Sequence, residues 1–154
     1  MNWKVYPEAI YEMICKYDSY EGVKKILITE NGASFPDEVI DGVIDDHHRS
    51  HFLKSYLEQV LKAKKSSTKL AGYFVWSLTD NFEWAEGFKQ RFGLIHIDYA
   101  TQQRTVKNSG WWYKKFLEEV CVVRAFAGHE SLLELNEVND NCVLFSVFHT
   151  HKGT

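Results

Sequence analysis

Two stretches of the sequence place carboxylates directly after apolar runs, and the first is "LITENGASF" (27–35). Glu30 ends the apolar segment and is followed by Asn31 and Gly32. In parallel α/β proteins, side chains at the carboxyl ends of strands face the active site, because the loops there build the pocket. The alternative is a simple turn, since Asn-Gly favours left-handed backbone angles. The position of Glu30 alone leaves both interpretations open.

The second stretch is "VWSLTDNFEWAEG" (75–87), in which Trp76, Glu83 and Trp84 bring two broad apolar rings and a carboxylate into one loop. A pyranose has hydroxyls that a carboxylate accepts and C–H faces that stack on an indole ring. In the alternative interpretation both tryptophans pack in the core, while Asp80, Glu83 and Glu86 are solvated charges of the loop. The loop is therefore either a sugar-binding loop or a structural one.

The spacing of apolar residues predicts helices and strands that alternate around these two stretches. Strands that are apolar on successive residues and are separated by helices are typical of a parallel sheet covered on both faces, which indicates the α/β class. Two such main strands cannot close a barrel, so the chain is interpreted as part of a larger fold. The predicted elements are a helix from Pro7 that stops at Gly22, a strand at 24–29, a helix at 46–66, strands at 70–76 and 94–99, and a helix from Asn108.

Composition excludes several classes of function. The chain has 154 residues, of which 45% are hydrophobic and 25% charged, with a formal net charge of -3 and no basic stripe, so nucleic acid is not expected as a partner. No apolar run is long enough to span a membrane. The first residues lack the basic start and apolar run of a signal peptide, so a cytoplasmic location is expected. The cysteines lack CxxC spacing, which argues against a disulfide framework; they are Cys15, Cys121 and Cys142.

Histidines offer the remaining candidate chemistry. His47, His48 and His51 are close in sequence, and positions 47 and 51 share a helix face, but only one nearby pair is spaced for metal ligation. His96, inside "LIHIDY", is interpreted as a satisfied core or pocket-rim residue. We therefore expect neither a metal ion nor a cofactor.

Five stretches together resemble one known family. "ITENG" (28–32), "GYFVWSLTDNFEWAEGF" (72–88) and "RFGLIHIDYATQQRTVKNSGWWYKKFLEE" (91–119) closely resemble the C-terminal part of the family 1 glycoside hydrolases, the β-glucosidases and their relatives. "WKVYPEAIYEM" (3–13) and "DGVIDDHHRSHFLKSYLEQV" (41–60) resemble the same family in order and spacing. The resemblance implies that residues 1–119 are the C-terminal portion, the last two βα units, of a (β/α)8 TIM barrel.

The resemblance also implies roles for the candidate residues. Glu30 matches the catalytic nucleophile of the family, which forms a glycosyl-enzyme intermediate. Glu83 and Trp84 match residues that hold the sugar in the glycone subsite, and Trp76 matches the indole beneath it. Phe92 matches an aromatic residue that lines the same pocket. The implied substrate is a β-glucoside or a related small glycoside.

One half of that mechanism is missing from the chain. A retaining glycosidase also needs an acid/base carboxyl group, which the family takes from an Asn-Glu-Pro motif that does not occur here. Glu137, in "LNEVND", is far out of place and is not given the role. We therefore expect the isolated chain to be inactive and to require a missing N-terminal barrel segment. The competing hypothesis is a non-catalytic carbohydrate-binding or scaffold fragment.

Residues 120–154 fall outside the resemblance and remain an unassigned tail. They contain two strand-like apolar runs around a polar middle. This pattern is compatible with a further hairpin or with sequence that does not belong to the original fold.

Overall fold

A computed structural model of the chain describes residues 4–67, 69–126 and 144–147. Helices and strands alternate along it, as the apolar spacing predicts. No helix in these ranges is both long enough and apolar enough to cross a membrane. The elements are α1 (Glu8–Asp18), β1 (Ile26–Asn31), β2 (Glu38–Ile40), β3 (Val43–Asp45), α2 (His47–Lys64), β4 (Leu70–Val75), β5 (Ile95–Ile97), β6 (Arg104–Val106), α3 (Asn108–Phe126) and β7 (Leu144–Val147).

The main sheet has the strand order β1-β4-β7, and both of its pairings are parallel. Parallel neighbours require a long crossover between them, and helix α2 lies between β1 and β4 in the chain. Asn31 at the end of β1 is paired with Val75 at the end of β4, so the two strands finish side by side. The predicted α/β class with parallel strands is therefore confirmed for the described residues.

The core lies where α2 and β4 pack together. Leu53, Leu57 and Val60 recur on one face of α2 at the spacing of an amphipathic helix and are almost completely buried. Tyr73 and Val75 of β4 are buried against this cluster. Burial of one such aliphatic side chain contributes about 1.5–3 kcal/mol, so this layer fixes α2 on the sheet.

Two antiparallel hairpins differ from the predicted pattern. Strands β2 and β3 form one of them within the segment 31–45, for which the sequence predicted neither a helix nor a strand. Asp41 and Gly42 join these strands with φ of 50° and 79°, the left-handed pair that a tight hairpin turn requires. The run at 94–99 forms β5, which pairs antiparallel with β6 rather than joining the main sheet.

The tail also departs from the prediction. Its first apolar run, at 121–126, is not a strand, because α3 continues through it to Phe126. Extending a helix that has already formed is favourable, and this outweighs the weak strand preference of the valines. Leu144–Val147 pairs in parallel with β4. The rest of the predicted hairpin lies outside the described residues.

Strand β1 is not covered on both faces, as its apolar sequence had suggested. It forms one edge of the sheet, and Leu27 leaves 53% of its surface exposed. Exposed edges and large apolar patches of this kind favour association with another chain or segment. Further exposed large hydrophobic side chains belong to α1 and its flanking residues: Val5, Tyr6, Met13, Tyr17 and Tyr20.

We expect residues 1–154 to self-associate at micromolar concentration, because the edge and apolar surface of β1 are open. Leu27→Gln should shift sedimentation velocity profiles toward smaller species, since buried apolar surface contributes about 25 cal/mol per Å² to association. Thr29→Gln is the control, because Thr29 is exposed on the same face of β1. A monomeric, cooperative thermal transition of the unaltered chain would contradict this expectation.

Candidate active site

Glu30 and Trp76 lie at the carboxyl edge of the main sheet, on neighbouring strands. Glu30 is the exposed residue before the end of β1, and Trp76 directly follows β4. The backbone N–H of Trp76 donates a hydrogen bond of 3.0 Å to the carbonyl of Asn31. The hydroxyl of Tyr73 donates to the side-chain oxygen of Asn31 at 2.7 Å. Asn31 therefore connects the two strand ends from which the candidate nucleophile and the indole project.

Gly32 follows Asn31 at a point where the backbone of Trp76 approaches too closely for any side chain. A Cβ atom at this position would lie 1.7 Å from the carbonyl oxygen of Trp76, far inside van der Waals contact. Neither Asn31 nor Gly32 has a positive φ, so the alternative of a left-handed Asn-Gly turn is wrong. The peptide bond between Trp76 and Ser77 is cis. Glycine is thus needed here for close approach and not for turn geometry.

Glu83 and Trp84 lie in the loop that follows Trp76. Trp84 begins a single 3₁₀ turn that ends at Glu86, and the backbone N–H of Glu83 donates to the carbonyl of Gly87 at 2.8 Å. Trp84 has a φ of 44° and leaves 82% of its surface exposed. The alternative in which this tryptophan packs in the core is therefore wrong, and its ring is free to stack on a flat apolar ligand.

Phe92 occupies a different environment from the other candidates, because only 3% of its surface is exposed. Its carbonyl accepts a hydrogen bond of 3.3 Å from the N–H of Ser77, which returns the end of the loop to its beginning. A backbone contact at Phe92 therefore closes the loop.

The loop after β1 and the loop after β4 are joined by polar contacts. The hydroxyl of Ser34 donates to Gln90 at 2.7 Å and accepts from the backbone N–H of Arg91 at 3.0 Å. The amide of Gln90 in turn donates to Glu86 at 3.2 Å. Within the described residues, no direct hydrogen bond or ion pair joins Glu30 to Glu83 or Trp84. The structure thus places Glu30 and Trp76 at the carboxyl edge of the main sheet. The loop after β4 is connected to the loop after Glu30 through the contacts of Ser34 and Gln90.

A cluster of charged side chains connects the two loops, and it was not predicted from the sequence. Ion pairs join its members, and most of them are almost completely buried, although Arg91 and His96 keep 23% and 17% of their side chains exposed. The interpretation of Asp80 as a solvated loop charge did not anticipate this. No sequence signal marked Asp80 or Lys107 as buried, because polar residues stand beside both of them. We define the charge cluster as Asp37, Asp46, Arg49, Asp80, Arg91, His96 and Lys107.

Asp80 is surrounded by donors. One carboxylate oxygen accepts from the ammonium group of Lys107 at 2.9 Å and from the backbone N–H of Gly93 at 3.0 Å. The other oxygen accepts from the guanidinium group of Arg91 at 3.0 Å. A buried carboxylate that lost such partners would be strongly destabilising. Asp80 therefore fixes the loop after β4, because it holds Arg91 and Gly93 near the end of that loop. This set of donors explains the burial of the carboxylate.

Asp37 pairs with three cationic or potentially cationic groups. Arg49 lies 3.1 Å from one carboxylate oxygen, while Lys107 and His96 lie 2.8 Å and 3.1 Å from the other. Burial acts to raise the pKa of Asp37, but the charge and hydrogen bond of Lys107, with His96 and Arg49, hold it below its ordinary value. Burial, reinforced by the charge of Arg49, lowers the pKa of Lys107, while Asp80 and Asp37 oppose that shift.

Asp46 connects the starts of two helices. It precedes α2 and accepts from the Nε of Arg49 at 2.9 Å. Its other oxygen accepts from the backbone N–H of Ser109, in the first turn of α3, at 2.8 Å. A carboxylate at a helix N-terminus satisfies a backbone donor that has no partner within the helix. The first turn of α3 is therefore held by a residue that begins α2.

One group in the charge cluster has the donor types of a metal site. Ligand atoms of Asp37, Asp80 and His96 lie within 4.8 Å of one another. However, the ammonium group of Lys107 is 2.8 Å from Asp37 and 2.9 Å from Asp80, so a cation already neutralises both carboxylates. The rings of His47 and His48 lie 4.1 Å apart. The expectation that no metal or cofactor is used stays a prediction.

The chain is similar in sequence to known proteins over 77% of its length. The profile of the family described as "Glycosyl hydrolase family 1" matches residues 1–120. Beta-glucosidase A of Thermotoga maritima is 46% identical over 119 residues, which cover 77% of this chain and 27% of that protein. The 6-phospho-beta-galactosidase of Clostridium acetobutylicum is 40% identical over 119 residues, which cover 77% of this chain and 25% of that protein.

A solved structure gives the same result. The Thermotoga maritima beta-glucosidase in complex with glucoimidazole is similar with a TM-score of 0.74 and 46% identity, over 77% of this chain and 27% of that one. The chain therefore spans about a quarter of the length of the relatives that it matches.

The pairing of Asp37 makes stability depend on acidity. Because its pKa is lower in the folded state, it stabilises the fold above about pH 4, and that contribution is lost as the pH falls through the lowered pKa. We expect Asp37→Asn to cost about 3 kcal/mol near pH 7 and progressively less below pH 4. The measurement is urea unfolding of a hybrid in which residues 1–119 replace the matching residues of Thermotoga maritima Beta-glucosidase A.

The matched control for this experiment is Asp41→Asn in the same hybrid, since Asp41 is exposed. It should change the free energy of unfolding by less than about 0.5 kcal/mol at every pH. A cost of Asp37→Asn that does not vary with pH would contradict the prediction.

Proposed function

Because the chain belongs to glycosyl hydrolase family 1, we propose that it forms the last two βα units of the barrel of a β-glucosidase-like retaining enzyme. The solved structures of this family that resemble the chain are TIM barrels. The chain itself is a partial α/β arrangement with parallel strands. The observation that carries the proposal is the position of Glu30 and Trp76, on neighbouring parallel strands at their carboxyl ends. Active sites of (β/α)8 barrels are built at that face.

Glu30 serves as the nucleophile in this proposal. Its carboxylate attacks the anomeric carbon, the bond to the aglycone oxygen breaks, and a covalent glycosyl-enzyme forms. Water then attacks the same carbon and releases the sugar with retained configuration. Exposure of Glu30 at the strand end is consistent with this role, because the carboxylate must be free to reach the sugar.

Glu83 and Trp84 hold the glycone in the proposed site. The carboxylate of Glu83 accepts hydrogen bonds from sugar hydroxyls, and the exposed ring of Trp84 covers an apolar C–H face. Trp76 lies beneath the sugar, and the buried Phe92 supports the loop that carries these groups. A 6-phosphorylated sugar would place a second negative charge near Glu83 and Glu86, so we propose that the glycone is not phosphorylated.

The acid/base carboxyl group comes from a segment outside this chain. Retention requires the two carboxyl groups to lie about 5–5.5 Å apart, and the proposed source is the N-terminal portion of the barrel. The open edge of β1 and the exposed Leu27 offer a surface on which a preceding strand would pair. Without this segment, loss of acid/base assistance costs about 10²–10⁴ in rate, so the isolated chain is expected to be inactive.

The hybrid with Thermotoga maritima Beta-glucosidase A tests the nucleophile. We expect it to hydrolyse an aryl β-glucoside, and Glu30→Gln should lower kcat by at least about a thousandfold, because no covalent intermediate can form. Incubation with a 2-deoxy-2-fluoro-β-glucosyl fluoride should add one glycosyl group to the peptide that contains Glu30, as measured by mass spectrometry. Glu21→Gln, at an exposed position, is the control and should keep full activity.

Two outcomes would decide against this function. Labelling of another carboxylate, or turnover that survives Glu30→Gln, would remove Glu30 from the mechanism. Sugar binding by the chain and by the hybrid without turnover in either would instead favour the non-catalytic carbohydrate-binding alternative, which the absence of an Asn-Glu-Pro motif from the sequence keeps in consideration.

Glu83 gives a separate prediction about binding. Glu83→Gln in the hybrid should lower kcat/KM for the aryl β-glucoside by about ten- to a hundredfold, because a hydrogen bond to a charged group contributes about 1.5–3 kcal/mol. Steady-state kinetics with the matching 6-phospho-β-galactoside should show little turnover before the substitution. The prediction fails if Glu83→Gln leaves kcat/KM unchanged or if the phosphorylated substrate is preferred.

A further inference from the structure

We propose that Lys107 is a positioning residue of the site, whose ammonium group fixes the loop that follows Glu30 against the loop that carries Glu83. The inference rests on the proposed function for the meaning of those two loops. The contacts of Lys107 are independent of it, because they are observed among buried side chains of the charge cluster.

The ammonium group of Lys107 bridges the two loops directly. It lies 2.8 Å from a carboxylate oxygen of Asp37, in the loop after β1, and 2.9 Å from a carboxylate oxygen of Asp80, in the loop after β4. The side chain of Lys107 is 0% exposed, so water does not screen or replace either contact. Each loop is thereby tied to the same nitrogen atom.

The other cations of the cluster hold mainly one loop each. Among the ion pairs of the described residues, Arg49 pairs with Asp37 but not Asp80, whereas Arg91 pairs with Asp80 but not Asp37. His96 approaches both carboxylates, at 3.1 Å and 3.6 Å, but it carries charge only when protonated. Lys107 is therefore the close cationic bridge between the loops.

The backbone of Lys107 is itself fixed. Its N–H donates to the carbonyl of Leu94 at 2.9 Å, and its carbonyl accepts from Gly110 at 3.0 Å and Trp111 at 3.1 Å, in the first turn of α3. An ammonium group has three donors and no acceptor, which suits a position between two carboxylates that would otherwise repel each other. Lys107 thus transmits the position of α3 to both loops.

The consequence for the reaction is geometric. A sugar held by Glu83 and Trp84 must present its anomeric carbon to Glu30, and a misplacement of about 1 Å can cost about a hundredfold in rate. If Lys107 sets the distance between the loops, its loss should lower kcat more than it raises KM, because each loop keeps its own contacts with the sugar.

The first measurement uses the hybrid, because the isolated chain is expected to self-associate, and it requires no turnover. Hydrogen exchange followed by mass spectrometry should show that Lys107→Met speeds exchange in peptides covering 31–37 and 77–94 at least about tenfold, while peptides within β4 change less than threefold. Lys115→Met, within helix α3 and with 76% of its side chain exposed, is the control and should change none of these peptides.

A second variant guards against general unfolding. Lys107→Met combined with Asp80→Asn removes one buried charge of each sign, and it should show the same pattern confined to the two loops. Exchange that rises equally in β4 and in the loops in both variants would assign Lys107 to general stability and overturn the positioning role. Unchanged exchange in both loops would overturn it as well.

The second measurement uses the hybrid. Lys107→Met should lower kcat about ten- to a hundredfold while KM stays within about threefold, with kcat counted per site labelled by the 2-fluoro glycoside. Counting labelled sites removes the effect of any unfolded fraction. A rise in KM with unchanged kcat would overturn the inference, whereas an inactive unaltered hybrid would be a failure of the proposed function and leaves the exchange result to decide on Lys107.

Discussion

The neutralisation of buried charge is the constraint on which the rest of this structure depends. The carboxylates of Asp37, Asp46 and Asp80 are matched by the cations Arg49, Arg91 and Lys107, and all of these groups except Arg91 lie almost entirely out of water. Removing one partner of such a pair costs about 3–5 kcal/mol, comparable with the whole stability of many domains. These partners come from both loops and from the starts of α2 and α3, so the segments can only take their positions together.

The elements with strong apolar periodicity were predictable, and those fixed by distant polar contacts were not. The spacing of Leu53, Leu57 and Val60 predicts α2 from the sequence, because these residues form an apolar stripe that a helix must bury. The burial of Asp80 could not be foreseen, since its partner Lys107 lies 27 residues away along the chain. The hairpin at Asp41 and Gly42 was missed because its Asp-Gly signal lies within a segment otherwise rich in loop-forming residues.

The residues of the candidate site also divide into those that were predictable from the sequence and those that were not. The location of Glu30 and Trp76 at strand ends was predictable, since parallel strands bring their carboxyl ends to one edge, but this location alone left the role of Glu30 open. The exposure of Trp84 was not predictable, because a tryptophan in a loop can be either exposed or packed in the core until the course of the backbone is known. Family resemblance supplied roles for these residues that spacing alone left open, and the near-complete burial of Phe92 was not predicted from the sequence.

The contact between Asp46 and Ser109 has a consequence for the order in which the chain folds. These residues are 63 positions apart, and closing so long a loop carries an entropic cost that local helix formation does not. During synthesis Asp46 emerges well before Ser109, so α2 and its apolar face are available while the start of α3 is still absent. The beginning of α3 is therefore expected to be among the last features to form, and completion of the charge cluster marks arrival at the native state.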